Sequence, residues 1–141
     1  MEYSYKFRIY PNSEQQALIA RTFGCARFVY NHFLHLRKET YEANGETLNY
    51  VKTSALLTQL KKELTWLKDV DSIPLQESLR DLDFAYQNFF RRMKKGEKPG
   101  FPRFKSKRDS RKSYKTKQHV TNGNPTIWVD SAHIRLPKLG L

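Results

Sequence analysis

The sequence predicts an α+β chain in which a helical segment is inserted between a first strand and the remaining strands of a small sheet or barrel. Three observations carry that reading. Residues 3–11, YSYKFRIYP, alternate strictly between apolar and polar side chains. Across residues 12–95 apolar residues recur at spacings of three and four. After Gly100 the texture changes to short β-like runs, SYKT, PTIWVD and HIRLP.

In the first run, Tyr3, Tyr5, Phe7 and Ile9 share one face and Ser4, Lys6 and Arg8 the other. That is the pattern of a half-buried strand, ended by Pro11. Ser13 is placed to cap a helix, with Gln16 completing a capping box. The helix runs toward Ala43, and Asn44-Gly45 is its stop signal. Its apolar stripe is Leu18, Ile19, Phe23, Ala26, Tyr30, Phe33 and Leu34. Gly24 marks a bend or a close helix contact. A second helix spans 50–63, with Val51, Ala55, Leu56, Leu60 and Leu64 inward. Trp66 and Leu67 anchor the connector that follows. A third helix begins after Ser72, with Pro74 in its first turn, where a missing N–H costs little. Its stripe is Leu75, Leu79, Leu82, Tyr86 and Phe89, and the basic residues at its end suit the helix dipole. A turn at 130–132 joins the last two strands.

Charge is concentrated rather than spread. The chain has 141 residues and a formal net charge of +12. Residues 91–117 hold 13 Lys and Arg against 2 Asp and Glu, a net +11, while the rest carries +1. Such a patch meets a polyanion, most often nucleic acid. An anionic membrane would need an apolar anchoring face, which this window lacks. The bland alternative is a solvated linker, but Phe101, Phe104 and Tyr114 interleave the cations, either as anchors to the core or as stacking platforms. Cys25 is the only cysteine, which excludes an intramolecular disulfide and a Cys-based zinc site. Lys6 and Arg8 interrupt any signal-peptide pattern, no apolar run approaches membrane-spanning length, and a cytoplasmic setting is expected.

The chemistry-bearing residues give no enzyme. Asp81 and Asp83 fall on different sides of a helix, and Glu77 with Asp81 reads as a pair of dipole partners. His32 and His35 share a face without a third ligand, so they read as a solvated pair. Tyr50, Ser54 and Gln76 lie near helix starts. There they either cap the helices or reach base edges and phosphates in a helix-lined groove.

The ordered motifs YKFRIYPNSEQ, TFGCARFVYNHFL, LKKELTWLKDVDS, LQESLRDLDFAYQNFFR, PGFPRFKSKR, SYKT and LPKLG resemble the N-terminal part of TnpB, the OrfB-type protein of bacterial and archaeal insertion sequences. The resemblance covers essentially the whole chain. It implies an RNA-guided DNA endonuclease family related to type V CRISPR effectors. The partners it implies are a guide RNA and double-stranded DNA bearing a short transposon-adjacent motif, with no membrane and no small-molecule substrate.

On this resemblance, residues 1–11 form the first strand of a wedge β-barrel. Residues 12–95 form a three-helix, helix-turn-helix-like recognition lobe. Residues 96–141 form the basic link and remaining strands of an incomplete barrel. The family's motif contacts map to Tyr50, Ser54, Gln76 and Thr121. Backbone contacts fall to Arg91, Arg92, Lys94, Lys95, Arg103, Lys105, Lys107, Arg108, Lys115 and Lys117. Ser72 and Ile73 depart from a basic-aromatic pair found in some relatives. The RuvC-like cleavage domain with its Mg2+ ions, and a zinc-binding insert, are expected downstream of Leu141. This chain is therefore expected to bind nucleic acid, to hold no cofactor and to cut nothing. The alternatives are a fragment of an active RNA-guided endonuclease and a degenerate transposase remnant.

Overall fold

The computed structural model describes residues 4–98, 100–106, 114–116, 120–121, 124–125, 127–129 and 132–139. Three helices dominate: α1 (Ser13–Asn44), α2 (Tyr50–Glu63) and α3 (Ser72–Lys94), with a 3-10 helix at Thr65–Asp69 between α2 and α3. Four two-residue strands follow, β1 (Val120–Thr121), β2 (Asn124–Pro125), β3 (Trp128–Val129) and β4 (Ile134–Arg135).

Capping chemistry sets the helix starts. Asn12, not Ser13, caps α1: its side chain accepts from Gln15 N, and the Gln15 side chain accepts from Asn12 N, both at 2.9 Å. The capping box is therefore Asn12 with Gln15, one residue earlier than the Ser13 and Gln16 expected. Gly45 ends the helix at φ 66°, donating to Tyr41 O at 2.8 Å. Only a residue without Cβ adopts that conformation cheaply. Asn49 caps α2 through Lys52 N at 3.0 Å, and Asp71 caps α3 through Ile73 N at 3.1 Å.

The core lies between α1 and α3, with Leu57 of α2, Leu67 of the 3-10 helix and Val70 closing it. Val29, Tyr30, Phe33 and Leu34 of α1 meet Leu75, Leu79, Leu82 and Tyr86 of α3. Full burial of each aliphatic side chain stabilises by about 1.5–3 kcal/mol. Leu67 is the connector's buried anchor, whereas Trp66 stays half-exposed with its ring edge-on to Phe28 at 5.0 Å.

The inward face of α2 differs from the expected one. Thr53 and Leu57 are buried, Leu60 and Leu64 pack at the margin, and Val51, Ala55 and Leu56 face out, Val51 at 72% exposure. Thr53 tolerates burial because its hydroxyl bonds Asn49 O at 2.9 Å and Tyr50 O at 3.1 Å. Gly24 makes no close helix contact: a Cβ there would meet only Arg27 Nη2, at 3.9 Å.

The expected first strand is not formed. Residues 4–11 take no regular structure, and Tyr5 is 77% exposed. A strand needs a ladder partner, and among the described residues these have none. The alternation itself persists locally, for the Tyr5 and Phe7 rings lie 6.4 Å apart. Residues 114–116 of SYKT are not a strand either; Tyr114 packs on Phe23 of α1 and Thr116 bonds Asp71, the cap of α3.

The last two runs do pair, antiparallel, with Trp128 opposite Arg135 and Val129 opposite Ile134. The turn residues Asp130 and Ser131 between them lie outside the described residues. β1 and β2 make a second two-stranded pair, and the described strands form two such pairs, not a barrel.

Candidate nucleic-acid interface

The basic segment is built onto α1 from its end backward. At the end of α3, Gly96 adopts φ 72°, its N–H bonds Met93 O at 3.2 Å, and Glu97 N bonds Arg92 O at 3.0 Å. This paired closure satisfies the last carbonyls and turns the chain sharply off the helix. The signal was present as Lys95-Gly96 after the basic turn, but the sequence reading did not use it. Phe101 then inserts edge-on against Tyr86 at 5.7 Å and Phe89 at 5.3 Å, beside a buried Pro102. The Lys38 ammonium lies 6.0 Å from the same ring.

About two turns nearer the start of α1, Asn31 holds the backbone of Lys105. Asn31 Nδ2 donates to Lys105 O at 2.8 Å, and Lys105 N donates to Asn31 Oδ1 at 2.7 Å. The Lys105 ammonium sits over the Tyr30 ring at 4.2 Å. Further back again, Tyr114 meets Phe23 edge-on at 6.0 Å, and the Thr116 hydroxyl donates to Asp71, the cap of α3. Burial and the nearby Asp71 carboxylate push the Tyr114 hydroxyl pKa up. The described parts of the segment, residues 100–106 and 114–116, therefore lie along α1 in antiparallel order, and we call them the strap. Tyr114 is half-buried and Phe101, though 42% exposed, packs on Tyr86 and Phe89, so both anchor the strap; Phe104 is 54% exposed and open to stacking.

The expected phosphate ligands divide accordingly. Arg91, Arg92 and Lys94 crowd the last turn of α3, Lys95 caps it, and all four are exposed. Arg103, Lys105 and Lys115 are exposed on the strap. Lys107, Arg108 and Lys117 lie outside the described residues.

A second cluster forms where α2 and α3 begin. The Tyr50 hydroxyl donates to Gln76 Oε1 at 3.4 Å. Ser54, one turn along α2, is half-buried, and its carbonyl accepts from Thr58 at 3.3 Å. None of the three caps a helix, since Asn49 and Asp71 do that. Thr121 lies on β1 opposite Asn124, and its side chain is outside those described. Sequence reasoning missed Arg80. Its guanidinium lies 4.7 Å from the Tyr50 ring centroid, and its i+4 spacing from Gln76 was the available signal.

Other candidates settle into structural roles. Arg37 is 5% exposed, pairs with Asp83 at 3.2 Å and lies 4.1 Å from the Tyr86 ring centroid. Burial lowers its pKa, against the opposing pull of Asp83. His32 is stacked on Phe28 at 5.6 Å rather than solvated, and burial, then His35, lowers its pKa. His35 is the exposed member, 3.0 Å from Glu39. Burial raises the Cys25 thiol pKa, so the thiol stays protonated in the core. Among the described residues no group of three or more His, Cys, Asp or Glu side chains could hold a metal ion. No helix among the described residues is long and apolar enough to cross a membrane.

Residues 1–46 match the helix-turn-helix domain model of OrfB/IS605-type proteins. A Streptomyces pristinaespiralis protein, named as a candidate RNA-guided DNA endonuclease, is 44% identical over 112 residues, covering 78% of this chain and 27% of its own length. InsQ of Escherichia coli, named likewise, is 37% identical over 139 residues, covering 97% of this chain and 32% of its own length. The chain thus spans about a third or less of these two relatives. The virulence protein VsdF of Salmonella dublin is 38% identical over 111 residues, covering 72% of this chain and 91% of its own length. With its helix-turn-helix match and these relatives, the chain belongs to the TnpB family of OrfB-type insertion-sequence proteins and corresponds to their N-terminal part.

Proposed function

We propose that this chain is the nucleic-acid-binding module of a TnpB-like protein, gripping guide RNA through its basic strap and recognising a short motif in duplex DNA through Tyr50, Ser54, Gln76 and Thr121. The observation that carries this reading is the pinning of the strap onto α1 by Asn31 and Tyr114 and onto α3 by Phe101. So anchored, the described strap holds Arg103, Lys105 and Lys115 exposed at set positions, which suits a polyanion. Exposed Phe104 adds a stacking surface for an unpaired base. On this reading residues 12–95 act as the recognition lobe, the flanking segments belong to a wedge, and the module itself needs no metal or cofactor.

The test is binding of the purified chain to guide-type RNA, duplex DNA and a scrambled RNA across a salt series. A preference for guide-type RNA with steep salt dependence supports the module. Equal, weak binding to all three leaves only a basic patch. A second reading is favoured by the names and lengths of the relatives: the chain serves as part of a longer RNA-guided DNA endonuclease. Adding this module in trans to a TnpB-like protein lacking it, then assaying guided cleavage, tests that reading.

A further inference from the structure

The cluster at the start of α2 and α3 has a defined hydrogen-bonding edge. The Tyr50 hydroxyl donates to Gln76 Oε1. That donation leaves the Tyr50 oxygen as an acceptor and the Nε2 of the bonded Gln76 amide as a donor. Adenine presents the complementary pair in the major groove, an N6 donor beside an N7 acceptor. Guanine presents two acceptors there, cytosine a single donor, and thymine an acceptor beside a methyl group. Only adenine satisfies both members of the protein pair.

The ring that carries this acceptor is held from a second side. Arg80 follows Gln76 by one turn of α3, and its guanidinium lies 4.7 Å from the centroid of the Tyr50 ring. Its Nε also lies 3.8 Å from Glu77 Oε1, a second contact on the guanidinium. A planar guanidinium stacks on a ring while keeping its edge donors in use, which an ammonium cannot do. We propose that Arg80 is a positioning residue that fixes Tyr50 and Gln76 as an adenine-reading pair. The inference rests on the reading above, in which Tyr50 and Gln76 face the DNA motif.

The experiment is selection of bound sequences from a duplex DNA library randomised over a short window, at several salt concentrations. It uses the chain and its Tyr50→Phe, Gln76→Ala, Arg80→Ala and Arg80→Lys variants. The wild type is expected to favour adenine at one position by roughly tenfold. Gln76→Ala and Tyr50→Phe lower that preference. Arg80→Ala and Arg80→Lys flatten it, with the salt slope unchanged. Wild-type preference in both Arg80 variants, alongside its loss in the Tyr50 and Gln76 variants, overturns the positioning role and leaves the motif reading standing. A salt slope in Arg80→Ala shallower by roughly 0.9, the share of one phosphate contact, makes Arg80 a phosphate ligand and also overturns it. An Arg80-dependent preference for another base overturns the adenine assignment. Base preferences unmoved by Tyr50→Phe and Gln76→Ala overturn the motif reading itself. Arg80 is exposed, so its variants are expected to keep the wild-type melting curve.

Discussion

Asn31 on α1 and Lys105 on the basic strap, 74 positions apart, exchange two hydrogen bonds of 2.8 and 2.7 Å, so one side-chain amide pairs with both backbone groups of one residue. This mimics one rung of an antiparallel ladder and fixes the strap's register as well as its position. Asn31→Ala removes both bonds, each worth about 1 kcal/mol. Local opening of the strap should rise roughly tenfold or more, with little change in global melting. Limited trypsin digestion reads this directly, as faster cleavage after Arg103 and Lys105.

The Arg37–Asp83 pair predicts a larger effect. Asp83→Asn leaves a cation that is 5% exposed without its counter-charge. The Asp83 side chain is itself part-exposed, so the loss is roughly 1–3 kcal/mol, below that of a fully buried pair. Urea denaturation should show that loss in the midpoint with the slope unchanged.

Tyr86 predicts the opposite sign. Its hydroxyl is buried without a hydrogen-bond partner among the described residues. Its ring lies beneath Arg37 and meets Phe101 edge-on. Tyr86→Phe keeps the ring and removes an unsatisfied polar group, so stability should hold or rise by up to about 1 kcal/mol. The same denaturation experiment checks it.

His32 gives the chain an acid-sensitive contact. Its folded-state pKa lies below the ordinary 6.5 because the charged ring is disfavoured by burial among aromatic rings. The unfolded chain therefore takes up the proton first as pH falls below 6.5. The His32 contribution is intact above that pH and is lost as pH falls through the folded pKa. His32→Phe should flatten the pH dependence of the urea midpoint in that window and leave it unchanged at neutral pH.

Much of this was legible in the sequence because it depends on local spacing. The three helices follow from apolar recurrence, and the strap's anchoring role follows from Gly-Phe-Pro-Arg-Phe leaving a basic helix end. Two kinds of feature were not legible. The inward face of α2 turned on Thr53, whose hydroxyl is satisfied by its own helix, so a polar residue took a core position that periodicity had assigned to Val51. Strand formation at residues 4–11 depends on a partner elsewhere, and alternation alone reports a preference rather than a pairing. Tyr50 and Gln76 were legible as positions but not as a pair. Their contact and the Arg80 stack arise from how α2 packs against α3.

The central claim is that fixed geometry, not charge alone, makes the strap a nucleic-acid surface. The most direct test compares wild type with an Asn31→Ala, Phe101→Ala double variant, which has the same net charge, in RNA binding across a salt series. The account predicts that the variant loses preference for guide-type over scrambled RNA while retaining weak, salt-sensitive binding to both. Identical preference and affinity in the two proteins would contradict it.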